Sequence, residues 1–197
     1  MSTLTIARSE LILGGQKSGK SRRAELLARQ WLELDAAHDA VLIATAQPWD
    51  EEMHQRILRH QQDRAERVPG MRTHEEPLHL AAAVSAHSTR HTLVVVDCLT
   101  LWLTNLRMPP FEEGQPEQPH DAVAEAAQIQ ALLQAIPQAP GPVVFVGNEI
   151  GLGVIPMGAQ VRSFVDALGR LNQDVAQACQ RATLMAAGLP LTLKDAP

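Results

Sequence analysis

Eight consecutive residues, Gly14-Gly15-Gln16-Lys17-Ser18-Gly19-Lys20-Ser21, satisfy the pattern GxxxxGK(S/T) at every fixed position. That spacing is phosphate chemistry: small residues let a loop curl until its backbone N–H groups converge on phosphate oxygens. Lys20 is placed to reach the β and γ phosphates, and the Ser21 hydroxyl to hold Mg²⁺. The expected ligand is a nucleoside triphosphate. Asp97 ends the apolar run VVVD, where a carboxylate points from the carboxyl edge of a sheet toward the metal of such a loop. A strand-end Asp can equally cap the turn that follows it.

A second group of candidates lies in DEEMHQRILRHQQDRAER, residues 50–67. Arg56, His60 and Arg64 are spaced four apart and share one helix face, a stripe suited to phosphates. His60 stands three residues beyond Ile57, near the apolar edge, where a partly desolvated, neutral imidazole can act as nucleophile or base. A charged helix with its histidine in solvent accounts for the same spacing. Asn148 and Glu149 open another glycine-rich stretch, GNEIGLGVIP. Its glycines do not fit GxGxxG, but its position after a strand is where open α/β sheets bind ligands. A plain loop fits it as well. Glu75, alone before Pro77, carries little weight by itself.

The elements that must position these groups alternate. Leu11-Ile12-Leu13 reads as a strand entering the phosphate loop, and Ala24, Leu27, Ala28, Trp31 and Leu32 repeat at helical spacing from Lys20 to near Leu34. Val41–Ala44, Thr92–Cys98 and the VVFV within 142–147 are short apolar runs, the pattern of parallel strands buried on both faces. A polar helix spans Asp50–Arg67, and an apolar stripe through Val161, Phe164, Val165, Leu168, Leu171 and Val175 marks another. Met108 to His120, with four prolines and almost nothing to bury, reads as a surface loop or lid. Strand–helix alternation predicts a doubly wound, mostly parallel α/β sheet with helices on both faces.

At 197 residues, 45% of them apolar, the expected organisation is one domain, residues 1–197. The net charge of −5 supplies no broad basic field for nucleic acid or an anionic membrane. Cys98 and Cys179 lie in no metal-type cluster, the expectation for a reduced compartment. Charged residues interrupt every long apolar stretch, so a soluble cytoplasmic protein without a signal peptide is expected. Trp31, Trp49 and Trp102 read as packing residues.

Taken in order, GGQKSGKS, IATAQ, DEEMHQRILRH, THEEP, VVVDCLTLWLTNL, GNEIGLGVIP and DALGRLNQ resemble the bifunctional adenosylcobinamide kinase/adenosylcobinamide-phosphate guanylyltransferase family, from about Leu11 to Lys194. The resemblance implies a RecA-like P-loop fold, a homotrimer and two successive reactions. A triphosphate, ATP or GTP, phosphorylates the aminopropanol hydroxyl of adenosylcobinamide. GTP then guanylylates a histidine, and the GMP passes to adenosylcobinamide phosphate. The family's histidine, in its RIxxH pattern, falls on His60. The likeness also implies that Thr45, Ala46, Gln47, Gln61, Gln62, Asp63, Arg64, Glu75 and Asp97 surround the nucleotide, beside Gly14 to Ser21. Many members carry Arg at the position of Lys17 and Glu at that of Asp97; both changes keep the charge. A P-loop kinase of another alcohol and a RecA-like ATPase acting on a partner share the phosphate loop but require nothing of His60.

Overall fold

Strand β1 (Ser9–Gly14) is buried at every position, and its alternation explains why Leu11, Ile12 and Leu13 are apolar without interruption. Leu11 and Leu13 enter the core on one face of the sheet, and Ile12 enters the core on the other. The computed structural model describes residues 5–108 and 120–196. After β1 come α1 (Lys20–Leu34), β2 (Asp39–Ala44), α2 (Glu51–Arg67), β3 (Arg72–Glu75), α3 (Leu80–His87) and β4 (Thr92–Asp97). Then follow α4 (Leu99–Arg107), α5 (Ala122–Gln138), β5 (Val143–Val146), α6 (Ala159–Ala178), β6 (Arg181–Ala186) and β7 (Leu189–Asp195).

The strands form one sheet in the order β3-β2-β4-β5-β1-β6-β7, parallel except for β7, which runs antiparallel to β6. Two apolar layers flank it. Ala24, Leu27 and Ala28 of α1, with Val68 just after α2, cover one face, while α3, α4, α5 and α6 cover the other through residues such as Leu80, Trp102, Ile136 and Leu168. This is the doubly wound architecture expected from the sequence. β5 lies between β1 and β4, so two strand spacings, about 10 Å, separate the end of the phosphate-loop strand from that of the Asp97 strand.

Local chemistry sets the boundaries. Asp50 caps α2 by accepting from the Met53 N–H at 2.7 Å, with Glu51 and Glu52 in the first turn. Asp121 caps α5 through the Val123 and Ala124 N–H groups. Beneath the phosphate loop, the fully buried Glu10 carboxylate accepts from Arg23 of α1 at 3.0 and 3.1 Å and from Thr183 of β6 at 2.8 Å. This charge-assisted set ties α1 and β6 to β1. Trp102 is fully buried, whereas Trp49 is 41% exposed, because it precedes the α2 cap and has no core beneath it. Of the expected lid, only the ends Met108 and His120 fall within the described residues.

Candidate active site

The phosphate loop crosses from β1 to α1 through backbone that depends on residue size. A Cβ on Gly14 would stand 2.5 Å from the Met185 carbonyl oxygen and 2.6 Å from Ser18 Oγ. Gly19, with φ of 101°, and Lys17, with φ of 57°, adopt left-handed conformations that turn the loop back. Lys20 Nζ donates to the Gly15 carbonyl at 2.6 Å, spanning the loop from its helical end. Ser18 Oγ is buried with no hydrogen-bond partner, so the loop retains a hydroxyl that an anion can engage. Gly14→Ala is expected to cost about 1–3 kcal/mol, seen as a lower melting temperature and weaker triphosphate binding. An unchanged melting curve and affinity would show that the loop tolerates the methyl group.

The carboxyl edge of the sheet brings several of the sequence-derived candidates into line. Register pairs Asp97 with Val146 on one side and with Ala44 on the other, and Ala44 in turn with Glu75. The phosphate loop, Asp97, Thr45 and Glu75 therefore follow one another along that edge. Thr45 is fully buried and positions the strand ends: its Oγ1 donates to the Cys98 carbonyl at 2.8 Å and accepts from the Cys98 N–H at 2.9 Å. Asn105 Nδ2 donates to the Thr45 carbonyl at 2.8 Å and to the Pro77 carbonyl at 3.0 Å, joining the ends of β2 and β3. Asn105 was not foreseen; its signal was a lone amide inside the apolar LTLWLTNL. Gln47 Oε1 accepts from Trp49 Nε1 at 2.9 Å, and Ala46 lies between it and Thr45.

Helix α2 meets the body of the protein chiefly at its C-terminal end. Arg64 is its buried residue, and donates to Thr73 Oγ1 at 3.3 Å. Asp63 accepts from Arg67 at 2.8 Å, and Arg67 also bonds Glu25 of α1 at 2.9 Å. Gln62 is exposed. His60 is exposed as well, rather than partly desolvated: α2 packs through Arg64, and Ile57 is only half-buried, so no apolar wall reaches the imidazole. Between α2 and β3 lies a hollow of about 340 Å³ lined by Gln61, Arg64, Thr73 and Glu75 among others. β3 stands four strand positions from β1, about 19 Å.

Electrostatics couple helix and loop. Burial pushes the Lys20 ammonium below the usual lysine value; Arg56 of α2 adds to the depression, while Cys98 and Asp97 oppose it. Burial likewise lowers Arg64, against Glu25 and Asp97. Lys20 and Arg64 thus both feel the Asp97 carboxylate, and Lys20 also feels the like charge of Arg56. A polyphosphate brings negative charge to these cations. Cys98 and Cys179 take no part as nucleophiles, because burial pushes both thiols up to about 12. Among the described residues, no group of three or more His, Cys, Asp or Glu is arranged to hold a metal ion, and no helix is long and apolar enough to cross a membrane.

Comparison with known proteins agrees with this geometry. Residues 10–193 match the family model of cobinamide kinase / cobinamide phosphate guanyltransferase. The chain is 43% identical over 191 residues to the bifunctional adenosylcobalamin biosynthesis protein CobP of Pseudomonas aeruginosa, covering 95% of this chain and 98% of that protein. It is 35% identical over 187 residues to the bifunctional adenosylcobalamin biosynthesis protein CobU of Escherichia coli, covering 93% and 98%. Among solved structures, the flagellar accessory protein FlaH of Methanocaldococcus jannaschii superposes with a TM-score of 0.51 at 10% identity, covering 98% of this chain and 80% of that one. That likeness concerns the fold alone, which is RecA-like. With its phosphate loop, the helix that carries Arg56, His60 and Arg64, and this span of similarity, the chain belongs to the cobinamide kinase / cobinamide phosphate guanyltransferase family.

Proposed function

We propose that this chain phosphorylates the aminopropanol hydroxyl of adenosylcobinamide and then transfers GMP from GTP to the new phosphate by way of a guanylyl-His60 intermediate. The observation that carries the reading is the order along the carboxyl edge of the sheet, phosphate loop, Asp97, Thr45 and Glu75, with Gln61 and Arg64 of the helix that bears His60 lining the hollow beside Glu75. One cradle then serves two chemistries.

In the first, Lys20 and the N–H groups of Gly14 to Ser21 hold the β and γ phosphates while the acceptor hydroxyl attacks the terminal phosphorus. Oxygen donors from Ser21 and Asp97 fit Mg²⁺, which takes most of its remaining ligands from water and phosphates. Bound there, the ion would offset phosphate charge. In the second reaction, an imidazole nitrogen of His60 bonds to the α-phosphorus of GTP as the bond to the bridging oxygen breaks, and pyrophosphate leaves on the loop. The phosphate of adenosylcobinamide phosphate then displaces the imidazole from that phosphorus, which is why a phosphoramidate is useful: it is stable enough to wait and reactive enough to transfer. Arg56 and Arg64 offset the charge of the crowded phosphorus. The hollow between Gln61, Arg64 and Glu75 is of a size for the guanine base, with Glu75 an acceptor suited to its N–H edge.

The purified chain, given adenosylcobinamide and GTP, is expected to yield first the phosphate and then adenosylcobinamide-GDP, resolved by chromatography with mass detection. Accumulation of the phosphate alone would leave a kinase without the transfer step.

A further inference from the structure

On the face of the sheet opposite α1, a cavity of about 760 Å³ opens between α6 and the loop that follows β5. Its floor includes Leu13, the residue immediately before the phosphate loop. The loop is fastened there by two backbone bonds, Gly147 N–H to the Ile12 carbonyl at 3.0 Å and Glu149 N–H to the Gly14 carbonyl at 3.1 Å. One wall is apolar and unusually exposed: Leu152 at 79%, Val154 at 96% and Ile155 at 79%. The other is the α6 flank, where Arg162, Asp166 and Gln173 stand exposed around Gly169. Asn172 of α6, 4% exposed, lies in the same wall; its Nδ2 donates to the Asn148 carbonyl, and its Oδ1 is buried without a donor.

We infer that this cavity receives the corrinoid acceptor, placing its side-chain hydroxyl, and later its phosphate, at the mouth of the phosphate loop. The inference rests on the function proposed above and adds the acceptor's location to it. Size separates the two hollows at the carboxyl edge: the one beside Glu75 holds about 340 Å³, enough for a base, and the one beside α6 more than twice that. Chemistry separates them too. A corrin ring carries methyl groups and primary carboxamides around its rim, so it needs an apolar wall on one side and donors and acceptors on the other. Leu152, Val154 and Ile155 supply the first, and Arg162, Asp166 and Gln173 the second. Asn172 fastens that loop to α6 through its bond to the Asn148 carbonyl.

Gly169 provides a clean probe, because a Cβ there meets nothing within 4 Å and a leucine suits a helix better than glycine. Gly169→Leu and, on the opposite wall, Leu152→Asp are expected to raise the KM for adenosylcobinamide about tenfold or more in the phosphorylation step. The KM for the triphosphate and the rate at which GTP labels the enzyme should stay unchanged, as should the melting temperature. Wild-type turnover with an unaltered corrinoid KM in both variants would overturn the inference while leaving the proposed function intact. An unaltered KM joined to a change in sedimentation would instead make the wall a contact between copies of the chain. Absence of corrinoid turnover by the wild type would remove the proposed function, and this inference with it.

Discussion

Lys20→Ala is expected to slow corrinoid phosphorylation and guanylyl transfer together, each by about 10²–10³-fold. Under the proposed function its ammonium would neutralise charge on the oxygens of the transferring phosphoryl group in the first reaction and steady the departing pyrophosphate in the second. Arg64 is buried against Thr73 and Arg56 belongs to a different helix, so neither stands where Lys20 does at the helical end of the loop. The substitution also removes the 2.6 Å bond to the Gly15 carbonyl, so melting temperature must be measured beside activity. A stable variant that still transfers GMP at the wild-type rate would mean that two separate sites bind the two triphosphates.

His60→Ala is expected to do something different. Guanylyl transfer should fall by about 10⁴–10⁶-fold, the scale seen when a covalent nucleophile is removed, while most of the phosphorylation survives. The asymmetry follows from position. His60 is exposed on α2 and bonds no part of the phosphate loop, so its loss leaves the cradle and Lys20 as they are. Its exposure also argues that the substitution costs the fold little. Both activities can be followed in one incubation by resolving the phosphorylated and guanylylated corrinoids. Equal loss of both would contradict the separation of roles.

These two residues also mark how far the sequence alone could be read. The phosphate loop was legible because backbone geometry demands small residues at fixed positions, and the structure adds the reason at Gly14, where the Met185 carbonyl leaves no room for a methyl group. The strands β2, β4 and β5 were legible because burial on both faces forces continuous apolar runs. β7 was not: Leu189, Leu191 and Leu193 alternate but stay exposed at the sheet edge, so the strand lacks the continuous apolar run that burial on both faces imposes. α5 escaped notice because its run of alanine and glutamine gives a weak apolar stripe. Among site residues, Asp97 ends its strand at the carboxyl edge as its place after VVV predicts, and Thr45, which only the resemblance singled out, spends its hydroxyl on Cys98. Asn105 could not be read from spacing, since its partners Thr45 and Pro77 are distant in the chain.

The exposure of His60 is the point at which structure corrected the periodicity argument. An imidazole at the rim of an apolar stripe is desolvated only if the helix packs along its length, and α2 is held mainly through Arg64 and the Asp63–Arg67–Glu25 chain at its end. What recommends His60 is therefore its company. Arg56 precedes it by one turn and lowers Lys20, and Arg64 follows by one turn and feels Asp97. A phosphorus held between loop and helix lies in the field of all three cations.

The most direct test of the account is to incubate the protein with GTP labelled at the α-phosphate, without corrinoid, and locate the label by peptide mass spectrometry. The account predicts one GMP, acid-labile and base-stable, on the peptide carrying His60, released into adenosylcobinamide-GDP when adenosylcobinamide phosphate is added. Transfer of GMP to the corrinoid phosphate with His60 unlabelled at every stage would contradict it.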